Sequence, residues 1–115
     1  MSSIEFYWKS TCSTCRNARN FLLTSGVSMK ERDLAKKPFT KVEISALVAG
    51  RDIFSFINPK STPYKALGLK DKNLTEEEAI NLLAQEVNLF KRPFIIKGDM
   101  VLFGFSLAEY QKLIE

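Results

Sequence analysis

The chain reads as an α/β protein built on a mixed four-stranded sheet. Three observations carry that reading. An apolar run leads straight into Cys12-Ser13-Thr14-Cys15 and a helical pattern, capping signals open three later helices, and two apolar runs near the C-terminus are parted by Gly98-Asp99.

Ile4 to Trp8 has the composition of a first strand. From about 13 to 25, Cys15, Ala18, Phe21 and Leu22 recur at the spacing of one helical face. Gly26 is a fitting stop, because helices commonly close on a left-handed glycine. Val27, Met29 and Glu31 alternate as in a short second strand over Val27 to Asp33.

Three pairs, Thr40 with Glu43, Thr75 with Glu78 and Ser106 with Glu109, have the spacing of a capping box, in which each side chain satisfies the other's backbone N–H. They predict helices near 41–49, 76–86 and 107–114. Between the first two, Ile53, Phe54, Phe56 and Ile57 are followed by Pro59, Pro63 and Gly68, which reads as short helical pieces broken by turns. Phe94-Ile95-Ile96 and Val101-Leu102-Phe103, on either side of Gly98-Asp99, predict a hairpin.

The order is β-α-β, a helical insertion at about 40–88, then β-β-α, within a single domain spanning 1–115. With Cys-x-x-Cys after the first strand and a proline before the third, that is a thioredoxin-like arrangement. Its first two strands are expected to be parallel, joined by a right-handed crossover, and its last two to form the hairpin.

At 115 residues, 45% hydrophobic and 26% charged, the composition is that of an ordinary soluble domain. No apolar run approaches the roughly 20 residues of a membrane span. Met1-Ser2-Ser3-Ile4-Glu5 lacks the charged-then-apolar order of a secretory leader, so a cytoplasmic location is expected. There a Cys-x-x-Cys pair is more often catalytic or metal-binding than structural. The formal charge of +4 comes with dispersed cations, among them Lys36, Lys37, Lys60, Lys70, Lys72, Lys91 and Arg92. Dispersal argues for a solubilising surface and against direct nucleic-acid binding, while leaving room for small anions or acidic partners. Histidine is absent, which removes imidazole acid–base chemistry, Cys-His pairs and most zinc sites. Activation of a cysteine then falls to backbone dipoles, Arg or Lys.

Cys12 sits at the N-cap edge of the first helix, where free N–H groups and the helix dipole stabilise a thiolate. Cys15 falls inside the first turn on the same side, close enough to close a disulfide after Cys12 has been attacked. Cys12 is therefore the candidate nucleophile and Cys15 the resolving thiol. The competing readings are two inert small residues, or a zinc ion held by four thiolates of a dimer, since one chain cannot complete such a site. Arg16 follows the pair and either lowers the Cys12 pKa or points to solvent. Arg92, before Pro93, either offers two parallel donors to an oxyanion or carboxylate or is a surface charge flanking a strand. Pro93 is expected to be cis on the fold assignment, not on local sequence. Phe6, Tyr7 and Trp8 read as packed strand residues.

Phe6-Tyr7-Trp8 before Cys12-Ser13-Thr14-Cys15-Arg16-Asn17-Ala18-Arg19, the stretch Pro63-Tyr64-Lys65-Ala66-Leu67-Gly68, and Lys91-Arg92-Pro93-Phe94-Ile95-Ile96 followed by Gly104-Phe105 resemble the ArsC/Spx family. That family includes arsenate reductases and the Spx transcriptional regulators, and the resemblance covers nearly the whole chain. It implies a thioredoxin-like fold with a helical insertion, Cys12 as nucleophile and Arg92 as the oxyanion-binding arginine before a cis proline. The expected site is Cys12, Cys15 and Arg92 for the chemistry, with Lys60, Arg16 and Pro93 on the substrate side and no metal. No cofactor is expected to be bound. An external thiol reductant, glutathione with glutaredoxin or thioredoxin, is expected to supply electrons to a monomer acting on a small oxyanion or disulfide.

Two departures from the family pattern bear on the substrate. Arsenate reductases that use glutathione usually have one cysteine here and two further arginines, at positions that in this chain hold Asn58 or Lys60 and lie near Gly104. Their replacement argues against a tight arsenate site. Cys15 instead matches the paired cysteines of Spx, a disulfide switch on a protein that binds RNA polymerase. Two expectations result: a thiol-disulfide redox protein resembling arsenate reductase, or an Spx-like regulator.

Overall fold

The computed structural model describes residues 4–114. Met1 to Ser3, part of the stretch read for a secretory leader, lie outside the described residues. Contacts divide the chain into two compact units, one made of the described residues up to Lys37 with those from Arg92 onward, the other of Pro38–Lys91.

The first unit holds the whole sheet. Strand β1 (Ile4–Trp8) is followed by helix α1 (Ser13–Thr24) and strand β2 (Met29–Asp33). After the second unit come β3 (Phe94–Lys97) and β4 (Met100–Phe103). The spatial order is β2-β1-β3-β4. β1 runs parallel to β2, with Ile4 opposite Met29 and Trp8 opposite Asp33. It runs antiparallel to β3, with Phe6 opposite Ile95, and β3 pairs antiparallel with β4. This is the mixed, thioredoxin-like sheet expected from the order of elements. Gly98 takes the positive φ of 60° that the first central residue of a tight II′ turn demands, so the hairpin closes on Gly98-Asp99.

Alternation decides which face of β1 is dry. Ile4 and Phe6 are buried together with Ala18 and Leu22 of α1, Ile95 of β3, and Tyr110 and Leu113 of the C-terminal helix (Leu107–Ile114). Trp8, Phe21 and Val27 pack against that cluster at its margin. On the other face Tyr7 stacks on Phe94, with ring centroids 4.8 Å apart. α1 buries Cys15, Ala18 and Leu22, whereas Phe21, expected on the same face, is only half-buried. The second strand starts two residues later than its alternation suggested, because Val27 serves the core from outside the ladder.

The second unit contains α2 (Lys41–Val48), α3 (Thr62–Ala66) and α4 (Glu76–Gln85), with 3₁₀ turns at Ile53–Phe56, Leu69–Asp71 and Val87–Leu89. Thr40 and Thr75 each accept from the Glu three residues on, and each Glu carboxylate accepts the threonine N–H in return. Both helices therefore begin where the capping boxes placed them. Ser106 Oγ likewise accepts from Glu109 N–H at 3.4 Å to open the C-terminal helix, numbered α5. The stretch after Gly50 is the run of short helical pieces anticipated. Unanticipated were the turn Val87–Leu89 and the antiparallel bridge between Ile57 and Phe90.

Tyr110 is 1% exposed, and its hydroxyl donates to Gly104 O at 2.7 Å. Gly104 N–H in turn donates to Pro93 O at 2.8 Å. Through these two bonds α5 holds the start of β3. Tyr110→Phe removes the donor and leaves the acceptor unpaired, which is expected to cost about 1–2 kcal/mol. Urea unfolding of the two proteins measures it, and an unchanged midpoint would refute the role given to this bond.

Candidate active site

The turn after β1 delivers Cys12 to the start of α1. Cys12 N–H donates to Lys9 O at 3.0 Å, closing a four-residue turn, and Arg16 N–H donates to Cys12 O at 3.0 Å, beginning the helix. Cys12 is the N-cap, in an extended conformation (φ −93°, ψ 121°), and its Sγ accepts from Cys15 N–H at 3.4 Å. N-caps are usually Ser, Thr, Asp or Asn, whose oxygens satisfy a free N–H of the first turn. Here sulfur occupies that position, and a thiolate is the better acceptor.

Both cysteines are free thiols, Cys12 half-buried and Cys15 fully buried. Burial pushes Cys12 up, but other influences outweigh it. Hydrogen bonds from the Cys15 thiol and N–H, the positive charge of Arg92 and the Thr14 N–H bring its pKa below the ordinary value. For Cys15 the balance is reversed. Burial, the hydrogen bond with Cys12 and the negative charge on Cys12 push it up to about 12, against the opposing Lys9 N–H and Arg92. The two thiols thus separate into one poised to ionise and one held protonated.

Arg92 lies at the head of β3 and is joined to Pro93 by a cis peptide bond. Its charge acts on both sulfurs. Pro93 is fully buried, and its carbonyl is the one taken by Gly104 N–H. Arg16 has a role that neither of its two sequence readings named. Its exposed guanidinium donates from Nη1 to Ser10 O at 2.9 Å and so ties the turn to the helix.

Asp33, expected only as the end of a strand, also lies beside the same turn. Parallel pairing sets it opposite Trp8. Burial raises its pKa, but the hydroxyl and N–H of Ser10, the Ala35 N–H and the charge of Lys36 together hold the carboxyl below its usual value. The Ala35 N–H reaches Asp33 Oδ1 at 3.0 Å. That bond is a local Asx turn, whereas the approach of Ser10 depends on the β1–β2 register.

Cys12, Cys15, Arg92 and Pro93 share the first unit. Lys60 belongs to the second, on an exposed turn before α3, where its N–H donates to Asn58 Oδ1 at 3.0 Å. Asn58 is thereby occupied in shaping that turn.

Known proteins resemble this chain over almost its full length. It is 35% identical over 114 residues to the uncharacterised protein YusI of Bacillus subtilis, covering 96% of this chain and 97% of that one. It is 25% identical to the global transcriptional regulator Spx 1 of Lactococcus lactis, covering 96% of this chain and 88% of the regulator. Among solved structures, it is similar to the crystal structure of a possible arsenate reductase from Streptococcus mutans. That likeness has 34% identity, a TM-score of 0.79 and 98% of each chain covered. The ArsC family model matches residues 7–113, and the chain belongs to the ArsC family.

Proposed function

We propose that this chain is a thiol-disulfide redox protein in which Cys12 attacks the substrate and Cys15 resolves the adduct. The observation that carries this reading is the position of Cys12 Sγ as N-cap, accepting the Cys15 N–H. That contact puts the two side chains in the first turn of one helix, with the more accessible sulfur the better stabilised as thiolate.

With a disulfide substrate RS–SR′, the Cys12 thiolate forms a Cys12–SR bond and releases R′S⁻. Cys15, as thiolate, then attacks Cys12 Sγ and releases RS⁻, leaving a Cys12–Cys15 disulfide. The substrate gains two electrons and the pair loses them. An external thiol, thioredoxin or glutathione with glutaredoxin, returns the electrons and restores both thiols. With an oxyanion, Cys12 displaces a protonated oxygen as water, and attack by Cys15 at Cys12 Sγ leaves the electron pair on the reduced oxyanion. In either case Arg92 holds negative charge beside the sulfur, and buried Pro93 fixes the chain next to it. Within the same unit, Arg16 is the remaining candidate for the substrate side. The chemistry needs reduced thiols at rest, which suits a cytoplasmic setting.

A second reading is favoured by the 25% identity to a protein named as a global transcriptional regulator. In that reading the same disulfide changes affinity for RNA polymerase, without turnover. Polymerase recovered with one redox state only, together with no reduction of small disulfides or arsenate, would select it.

The pKa directions set the pH dependence of alkylation. Below its pKa Cys12 is a thiol and unreactive, so its iodoacetamide rate rises as pH increases through that value and then levels off. The midpoint is expected below the roughly 8.5 of a free cysteine, with Cys15 unmodified over the same range. Arg92→Gln removes a charge that favours the thiolate, so the midpoint moves up and alkylation at pH 7 slows. A midpoint unaffected by Arg92→Gln would remove Arg92 from the site.

Cys12→Ser is expected to abolish reduction of both disulfide and oxyanion substrates. Cys15→Ser is expected to stop after the first step and accumulate a Cys12–substrate adduct visible by intact mass. Undiminished turnover in Cys12→Ser would sink the proposed chemistry.

A further inference from the structure

The unit Pro38–Lys91 carries a cavity of about 310 Å³ that the redox reading does not use. Its wall is apolar and partly aromatic, formed by Phe54, Ile57, Tyr64, Leu69 and Leu74. Ile57 and Leu69 are buried, while Phe54 is 42% exposed. The rim is cationic. Lys70, Lys72 and Lys91 line the cavity, and no carboxylate is among its lining residues within the described chain.

Local structure explains the pattern. The 3₁₀ turn Leu69–Asp71 sends Leu69 inward and leaves Lys70 exposed. Asp71 stands between the two lysines in sequence, and the charge of Lys72 also acts on Glu78, so part of the positive charge is already offset. What remains suits one anionic group rather than several. The volume lies at the lower end of ligand pockets, which run from roughly 300 to 1,000 Å³, and fits one or two rings.

We propose that this cavity binds a small aromatic anion, its ring lying against Phe54 and Tyr64 and its single negative group meeting the lysine rim. The ring removes the exposed face of Phe54 from water, and the edge-to-face and stacked geometries open to two aromatic walls favour a ring over an aliphatic chain. The proposal is independent of the thiols and stands or falls without them.

The test uses the full chain, labelled with ¹⁵N, and two probes of nearly equal shape. One is 1-naphthalenesulfonate, and the other is the neutral 1-naphthalenesulfonamide. Saturable one-to-one binding of the sulfonate is expected, with amide shifts centred on Tyr64, Leu69 and Leu74 and weaker binding of the neutral probe. Lys70→Glu with Lys72→Glu is expected to weaken the sulfonate about tenfold and to leave the neutral probe unchanged. Phe54→Ser, at an exposed position, is expected to weaken both. Shifts centred elsewhere, binding that fails to saturate, or sulfonate affinity within about twofold of wild type after the double charge reversal would each overturn the assignment. Spectra of the variants that retain wild-type dispersion outside the cavity establish that they are folded.

Discussion

The hydrogen bond from Cys15 N–H to Cys12 Sγ, 3.4 Å long, ties the architecture of the first helix to its chemistry. The acceptor that caps the helix is also the proposed nucleophile. An N-cap is worth about 1 kcal/mol when its acceptor is an oxygen. A thiol sulfur accepts weakly, and a thiolate accepts strongly. Ionising Cys12 therefore improves the cap, and a well-formed helix favours the ionised state.

Around that bond, the rest of the first unit acts to keep the turn in place. Arg16 holds the Ser10 carbonyl from the helix, and the Ser10 hydroxyl and N–H favour the ionised Asp33 at the end of β2. On the other side, Tyr110 and Gly104 hold the carbonyl of Pro93, next to Arg92. Gly104 takes a φ of 79°, and a side chain there would adopt a conformation that L residues rarely occupy. The core residues Phe6, Ala18, Leu22 and Ile95 set β1, α1 and β3 against one another, and so set the distance over which Arg92 acts on the sulfur.

Much of this was legible because its causes are local. Cys15, Ala18 and Leu22 recur at helical spacing, and they are the residues that α1 buries. Thr40 with Glu43 and Thr75 with Glu78 bond reciprocally within one turn, so the sequence contains everything needed to place those helix starts. The Ile57–Phe90 bridge and the approach of Ser10 to Asp33 depend on pairings between residues remote in sequence, and nothing in either partner announces the other. Arg16 shows a different gap. Charge effect and solvent exposure were both reasonable for a first-turn arginine, and the choice depended on whether a carbonyl lay within reach.

The absence of histidine makes the order of the two thiol steps a matter of electrostatics. Cys15 is held protonated at rest partly by its hydrogen bond with Cys12 and by the negative charge there. Once Cys12 is consumed in a covalent bond, that charge is gone, while the Lys9 N–H and Arg92 still favour a Cys15 thiolate. Burial still opposes ionisation of Cys15, but one of the causes that hold it protonated is then lost. No imidazole stands by to take the Cys15 proton, so it passes to water or to the departing thiolate, which is the stronger base of the two. In the proposed chemistry the first step thus eases the second, because an adduct at Cys12 removes a negative charge that opposes the Cys15 thiolate.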